Sequence, residues 1–165
     1  MAFAALALTL VLTLASCKKG DTGPAGANGA NGNANVTSIT LNANSNSWSW
    51  DGPNNWRYAI WTGVNQLTSS VVNSGAVMLY QNAGNGYFAA LPITANISAT
   101  VQEHDFFIYS TNTISVFIEN SDKSDPNPGA ATYKLVCIPP AIIKSNPKLD
   151  LKNYNEVKQV LNLKD

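Results

Sequence analysis

One short segment of the sequence combines the side chains that general acid–base catalysis uses. His104, the only histidine in the chain, lies between Glu103 and Asp105, and a catalytic imidazole needs such a neighbour to orient or charge it. The segment leads into an apolar run that predicts a strand, where adjacent side chains point to opposite faces. His104 then cannot share a face with either carboxylate. We expect a solvated junction here, no catalytic residues and no enzymatic activity.

A second segment gathers the hard oxygen ligands that calcium prefers. Glu119, Asp122 and Asp125 lie close together in "ENSDKSDPN", beside several asparagines. Their spacing differs from that of an EF-hand loop, and Asp-Asn-Pro segments also form ordinary turns. A calcium site at these three residues and a plain polar turn are therefore the two hypotheses. No other cofactor is expected from the residues.

The tryptophans form a third group. Trp48, Trp50, Trp56 and Trp61 all fall within residues 48–61, next to Arg57 and two asparagines. If "SWSW" is extended, Trp48 and Trp50 share a face and could stack on a sugar ring, with Arg57 supplying hydrogen bonds. The competing interpretation is that the rings fill the core or cover its end. The segment thus supports a carbohydrate-binding hypothesis beside a purely structural one.

The elements that would position these residues are short and β-rich. Runs of four to eight residues, rich in β-branched and aromatic types, alternate with clusters of Asn, Gly, Ser and Pro. The runs are VTSITLN, RYAIWTG, AVMLYQN, GYFAALPI, ISATVQ, DFFIYST, TISVFIEN and ATYKLVCI. They predict an all-β fold, an antiparallel β-sandwich of seven to eight strands with a short C-terminal helix. Asn85-Gly86 predicts a hairpin turn, and Cys137, in the last run, is expected to be a buried free thiol.

The C-terminal residues 141–165 follow a different pattern. "PPAIIKSNPKLD" predicts an extended connector marked by prolines. The following residues place Tyr154, Val157, Val160 and Leu161 at helical spacing, with Asn153 as the N-cap. We expect one amphipathic helix that packs on the sandwich or on a partner.

Charge is low and balanced. Only 12% of the residues are charged, and ten basic side chains match ten acidic ones. A surface without a net field does not attract nucleic acid.

The N-terminal segment resembles a lipoprotein leader. Residues 2–14 are apolar apart from two threonines, which is too short to span a bilayer but typical of a signal-peptide h-region. No Lys or Arg precedes them, whereas a signal peptide normally begins with a basic segment. Residues 14–17, "LASC", resemble the lipobox of bacterial lipoproteins. The resemblance implies cleavage before Cys17 and a diacylglycerol on its thiol, and two or more acyl chains anchor a protein stably.

Glycine then recurs at positions 20, 23, 26, 29 and 32. A collagen triple helix needs this spacing, but five triplets with one proline predict a solvated spacer, and a trimeric stalk is the alternative. This run and later stretches such as "NSGAVMLY" and "ISVFIENSDKSDPNPG" resemble collagen-like bacterial lipoproteins, a group of uncharacterised function.

These observations divide the chain into four parts: a signal peptide (1–16), a lipidated cysteine with a glycine-rich tether (17–35), a β-sandwich domain (36–140) and a C-terminal segment (141–165). We expect an extracytoplasmic protein, held by its lipid at the outer membrane or cell surface. Its sandwich would serve as a structural or interaction module for a protein partner, and the alternative is a carbohydrate-binding module that uses the tryptophan region.

Overall fold

The computed structural model describes residues 35–163, and these residues form a two-sheet antiparallel sandwich. One sheet has the strand order β1-β9-β4-β5 and the other β2-β3-β8-β7-β6. The strands are β1 Thr37–Ala43, β2 Ser49–Asp51, β3 Trp56–Val64, β4 Ala76–Gly84, β5 Tyr87–Ala90, β6 Ile93–Asn96, β7 Gln102–Ser110, β8 Asn112–Asn120 and β9 Ala131–Ile138. The helices are α1 Ser69–Ser74, α2 Pro140–Ser145 and α3 Tyr154–Val160. The all-β prediction is confirmed, with nine strands instead of seven or eight.

The main core lies between the two sheets. Alternate residues of β9 show the pattern: Tyr133, Leu135 and Cys137 point inward, where they meet Val116 and Ile114 of β8. Leu67, in the loop before α1, is also fully buried in this core. Strand periodicity of two produces this arrangement, because side chains i and i+2 share a face.

A second apolar cluster lies on the outward side of the first sheet. Tyr80 of β4 and Val136 and Ile138 of β9 pack there against Ile142 of α2 and Val157 of α3. We call this side of the β1-β9-β4-β5 sheet the covered face. Its cover is secured at one point by a backbone bridge between β5 and the residue that precedes α3.

The C-terminal segment partly differs from its prediction. Asn153 does cap α3, since its side chain accepts a hydrogen bond from the Glu156 amide, and Leu161 is buried as expected. Val160, however, is 48% exposed, so the buried stripe is narrower than predicted. The connector predicted to be extended begins with helix α2, because Pro140 occupies a first-turn position where proline fits.

The run "ISATVQ" is also not a strand over its whole length. The amides of Ile97 and Ser98 both donate to the carbonyl oxygen of Val101, and the Ser98 hydroxyl accepts from the amides of Thr100 and Val101. The serine side chain therefore closes a turn between β6 and β7, and β7 starts only at Gln102. The hairpin predicted at Asn85-Gly86 is present, with positive φ at both residues.

Candidate functional site

The second sheet presents its outward side to solvent. Trp56 and Ile60 of β3, Phe106 and Ile108 of β7, and Phe117 of β8 all point to this side, which we call the open face. Ile60 and Ile108 are 53% and 56% exposed, and the three rings beside them are half-buried. An extended apolar surface of this kind is unusual on a protein that does not bind another molecule.

The rings of the open face contact one another closely. The centroids of Trp56 and Phe117 are 5.2 Å apart at an interplanar angle of 68°, and Trp56 meets Phe106 at 73°. Phe106 and Phe117 are stacked at 5.2 Å and 10°, and Tyr58 lies 6.0 Å from Phe117. Edge-to-face and offset stacking are the favoured geometries of aromatic pairs. The result is a rigid row of rings that crosses three adjacent strands, with the large indole standing edge-on to its neighbours.

The sequence did not single out most of this row. Tyr58, Phe106 and Phe117 lie in runs that are apolar on both faces, so periodicity alone does not say which face is buried. The available signal was indirect: β3, β7 and β8 all carry apolar outward residues, whereas the described C-terminal residues pack on the other sheet.

The four tryptophans do not act as one platform. Trp48 is only 6% exposed, and its Nε1 donates a hydrogen bond to the carbonyl oxygen of Gly129 at 3.0 Å. Trp61 points inward and meets the ring of Tyr133 edge-on at 5.9 Å. These two rings therefore belong to the core. Trp50 and Trp56 keep exposed surface, but on different sides of the second sheet, because they occupy alternate positions of the β2–β3 ladder.

Trp50 forms a small corner with Arg57. The Trp50 ring is 38% exposed, and the guanidinium carbon of Arg57 lies 5.8 Å from its centroid. Arg57 also donates to both carboxylate oxygens of Asp125, at 2.8 and 2.7 Å, and these hydrogen bonds lower the pKa of Asp125. The corner thus combines an exposed ring with a guanidinium that is already held in place.

The carboxylates of the acidic segment, Glu119, Asp122 and Asp125, do not converge on one point. Asp125 is engaged by Arg57, while Asp122 accepts hydrogen bonds from the Ser124 amide and hydroxyl. Glu119 lies 3.7 Å from Lys123. Within residues 35–163, no group of three or more His, Cys, Asp or Glu side chains is arranged to hold a metal ion. The structure therefore places the three predicted calcium ligands in separate interactions.

The histidine segment lies inside β7, where its side chains alternate. His104 points outward, its Nδ1 lying 2.9 Å from the Thr94 hydroxyl, whereas Glu103 and Asp105 point into the sandwich. The pKa of Asp105 is raised to about 7, mainly by burial and also by the charge of Glu103, while a hydrogen bond with Gln81 opposes the shift. Burial also raises the pKa of Glu103. As the strand pattern predicts, the imidazole shares no face with either carboxylate.

The structure describes one of the two cysteines. Cys137 is a buried free thiol, as predicted, and burial raises its pKa to about 11. Cys17, the signal peptide and the glycine-rich run lie outside the described residues. Among the helices of residues 35–163, none has the length and apolar character needed to cross a bilayer.

The chain was compared with protein-family models, curated proteins and solved structures, and none of them matched it.

Proposed function

We propose that the protein is a lipid-anchored module of the bacterial cell envelope that binds a partner protein through the open face, without catalysis. The anchor is the diacylglycerol expected on Cys17, and residues 17–35 act as the tether. The domain would then stand outside the cytoplasm, at the outer membrane or the cell surface. The observation that carries the binding role is the half-buried aromatic row on the open face, beside the exposed side chains of Ile60 and Ile108.

The chemistry of the open face favours a protein as its partner. Aromatic residues are enriched in the cores of protein interfaces, where charged residues are depleted. The row from Trp56 to Phe117 has this composition, and its polar neighbours, Glu119 and His104, lie at one end of the sheet. A sugar platform needs broad coplanar rings, whereas Trp56 stands at 68–73° to the adjacent phenylalanines. The expected occupant is an apolar surface of another envelope protein.

Site-specific photo-crosslinking in intact cells tests the binding role. A photoreactive phenylalanine analogue at position 60 or 108 should capture a discrete protein partner, because both side chains project from the open face. The same analogue at position 160 is the control, since Val160 is equally exposed but lies on α3. Equal capture from all three positions, or none from 60 and 108, would contradict the proposal.

Mass spectrometry of the mature protein tests the anchor separately. The expected N-terminal residue is Cys17 with acyl chains, and Cys17→Ser should release the domain from the membrane fraction. A mature chain that begins at Met1 with an unmodified thiol would overturn the lipid anchor and leave the binding role to be judged by crosslinking.

A second candidate function is carbohydrate binding at the Trp50 corner. The exposed ring beside a fixed guanidinium favours it, because sugars stack on indole and accept hydrogen bonds from arginine. Trp50→Ala should then abolish retention on a glycan array while Trp56→Ala leaves it intact. An array without hits would end this hypothesis.

A further inference from the structure

The interior of the sandwich contains a group of oxygen atoms without hydrogen-bond partners. Within residues 35–163, buried and unpartnered oxygens include Gln81 Oε1, Tyr133 Oη, Asp105 Oδ1 and Asn120 Oδ1. Two belong to the first sheet and two to the second. Asp105 and Asn120 are each 4% exposed, and Tyr133 is fully buried. Buried polar atoms nearly always have partners, so four orphans in one protein need an explanation.

The chain connects the two sheets near these atoms, because β8 ends at Asn120 in the second sheet and β9 begins at Ala131 in the first. Gln81 of β4 pairs with Tyr133 of β9, and Glu103 of β7 pairs with Asn120 of β8. Asp105 follows Glu103 by two residues and therefore points to the same side. The two sheets meet here, since Gln81 forms a side-chain hydrogen bond with Asp105 that opposes the burial-driven rise in its pKa and leaves Gln81 Oε1 and Asp105 Oδ1 without partners. Burial raises the pKa of Tyr133, and the charges of Asp105 and Glu103 raise it further.

The cluster has negative charge and oxygen acceptors but no positive group. The only charged side chain that acts on Asp105, among the residues described, is Glu103, which has the same sign. Arg57, a basic residue of the same sheet, is occupied by Asp125. A buried carboxylate such as Asp105 is costly without a counter-charge, and such a group is paired, coordinates a metal or becomes neutral through a raised pKa.

We propose that this cluster is a calcium site that links the two sheets. The carboxylates of Asp105 and Glu103 and the amide oxygens of Asn120 and Gln81 would be the protein ligands. The Tyr133 hydroxyl would donate to a carboxylate or to a bound water. Mixed carboxylate and amide oxygens suit Ca²⁺, which takes six to eight ligands in flexible geometry, better than Mg²⁺, which demands near-ideal octahedral geometry.

Glu103 is partly exposed, so the cluster extends from the interior to the solvent-accessible end of the sandwich. The site adjoins the acidic loop in which the sequence suggested calcium, because Asn120 Nδ2 donates a hydrogen bond to Ser124 Oγ of that loop, but it uses none of the three ligands predicted there. Its ligands come from three strands, so sequence spacing could not reveal it.

Thermal unfolding of the full chain in detergent is the first test. After dialysis against EDTA, added CaCl₂ should raise the Tm by several degrees in a concentration-dependent way, because an ion that binds only the folded state stabilises it. MgCl₂ at the same concentration should have a much smaller effect. No calcium-dependent shift, or an equal response to both ions, would overturn the proposal.

Variants then locate the site. Asp105→Asn should weaken calcium binding at least tenfold, read from terbium luminescence sensitised by Tyr133 and by Trp61, whose ring is 5.9 Å from that of Tyr133. Glu103→Gln should weaken it as well, which keeps the test available if one variant folds poorly. The control is Asp125→Asn in the acidic loop, which should bind like the wild type. Unchanged affinity in both interior variants, or lost affinity in the control alone, would refute the site.

Discussion

The two outward faces of the sandwich differ in burial: helices cover one, and solvent contacts the other. On the covered face, Tyr80 and Val136 are completely buried beneath α2 and α3, and the Tyr80 hydroxyl donates to the Leu151 carbonyl oxygen at 2.6 Å. On the open face, Ile60 and Ile108 keep more than half of their surface in water. Both faces carry aromatic clusters, so composition does not separate them. The difference is that only one face receives the C-terminal segment.

This contrast helps to interpret the half-buried rings of the open face. Residues of α2, α3 and the segment between them bury the apolar outward side of the first sheet. The open face keeps its rings ordered by mutual contacts among Trp56, Phe106 and Phe117 instead. An apolar surface that is rigid before binding loses little entropy when a partner arrives, which is consistent with the proposed docking role.

Removing a buried side chain from the cover should have the largest effect. Leu161→Ala truncates a fully buried residue that follows α3, and such changes typically cost about 2–5 kcal/mol in free energy of unfolding. Val160→Ala, its exposed neighbour, should change stability by less than about 0.5 kcal/mol. Urea titrations measure both. Similar losses for the two variants would mean that α3 is not packed as described.

The next largest expected effect on stability comes from Asp105, on the inward side of the second sheet. Its pKa rises from 3.8 to about 7 on folding, which corresponds to roughly 4 kcal/mol at 1.36 kcal/mol per pKa unit. Below about pH 4 the carboxyl is protonated in both states. Between pH 4 and 7 only the unfolded chain loses the proton, so the stability of the folded state falls as pH rises and stays low above 7.

Asp105→Asn should remove this pH dependence. In EDTA, we expect the variant to be about 2–4 kcal/mol more stable than the wild type at pH 8 and nearly equal to it at pH 4. Denaturant titrations at both values provide the comparison. A constant difference between the two proteins across this range would show that Asp105 keeps an ordinary pKa.

A ring at the centre of the open face should contribute less to the free energy of unfolding than a buried residue of the C-terminal segment. Phe117→Leu removes contacts with Trp56 and Phe106, and aromatic pairs contribute about 0.5–1.5 kcal/mol each beyond area burial. We expect a loss of about 1–2 kcal/mol, with Ile108→Leu as the nearly neutral control. A loss as large as that of Leu161→Ala would remove the distinction between the two faces.

The exposed edge of the open face should matter least for stability. Ile60→Thr and Ile108→Thr keep a β-branched side chain while they remove apolar surface, so each should cost about 0.5 kcal/mol or less. The double variant should nevertheless lose the partner captured by crosslinking. If it unfolds instead of losing the partner, the face is structural.

Local patterns in the sequence predicted much of the fold. The run "ATYKLVCI" matches β9 residue for residue, and Asn153 was identified as the cap of α3. Helix α2 was missed because its two leading prolines also suit an extended connector. Val160 was placed on the buried stripe because helical spacing alone does not give the width of that stripe.

The candidate site was harder to predict, for a physical reason. Runs such as "DFFIY" are apolar on both faces, so the sequence does not say whether Phe106 or Phe107 faces the core. The answer depends on which sheet receives the C-terminal cover, a tertiary choice. Likewise, Asp105 next to an apolar run suggested a solvated junction, whereas β7 begins at Gln102 and directs the carboxylate inward.

The pairing of β1 with β9 determines how the domain bears mechanical load. β1 is an edge strand joined to β9 through seven consecutive register pairs, from Thr37 with Cys137 to Ala43 with Ala131. Any pull on the residues before Asn35 reaches the domain through this strand first. The hydrogen bonds of β1 with β9, together with the packing of Ile39 and Leu41 against the core, therefore determine the force at which mechanical unfolding of the domain begins.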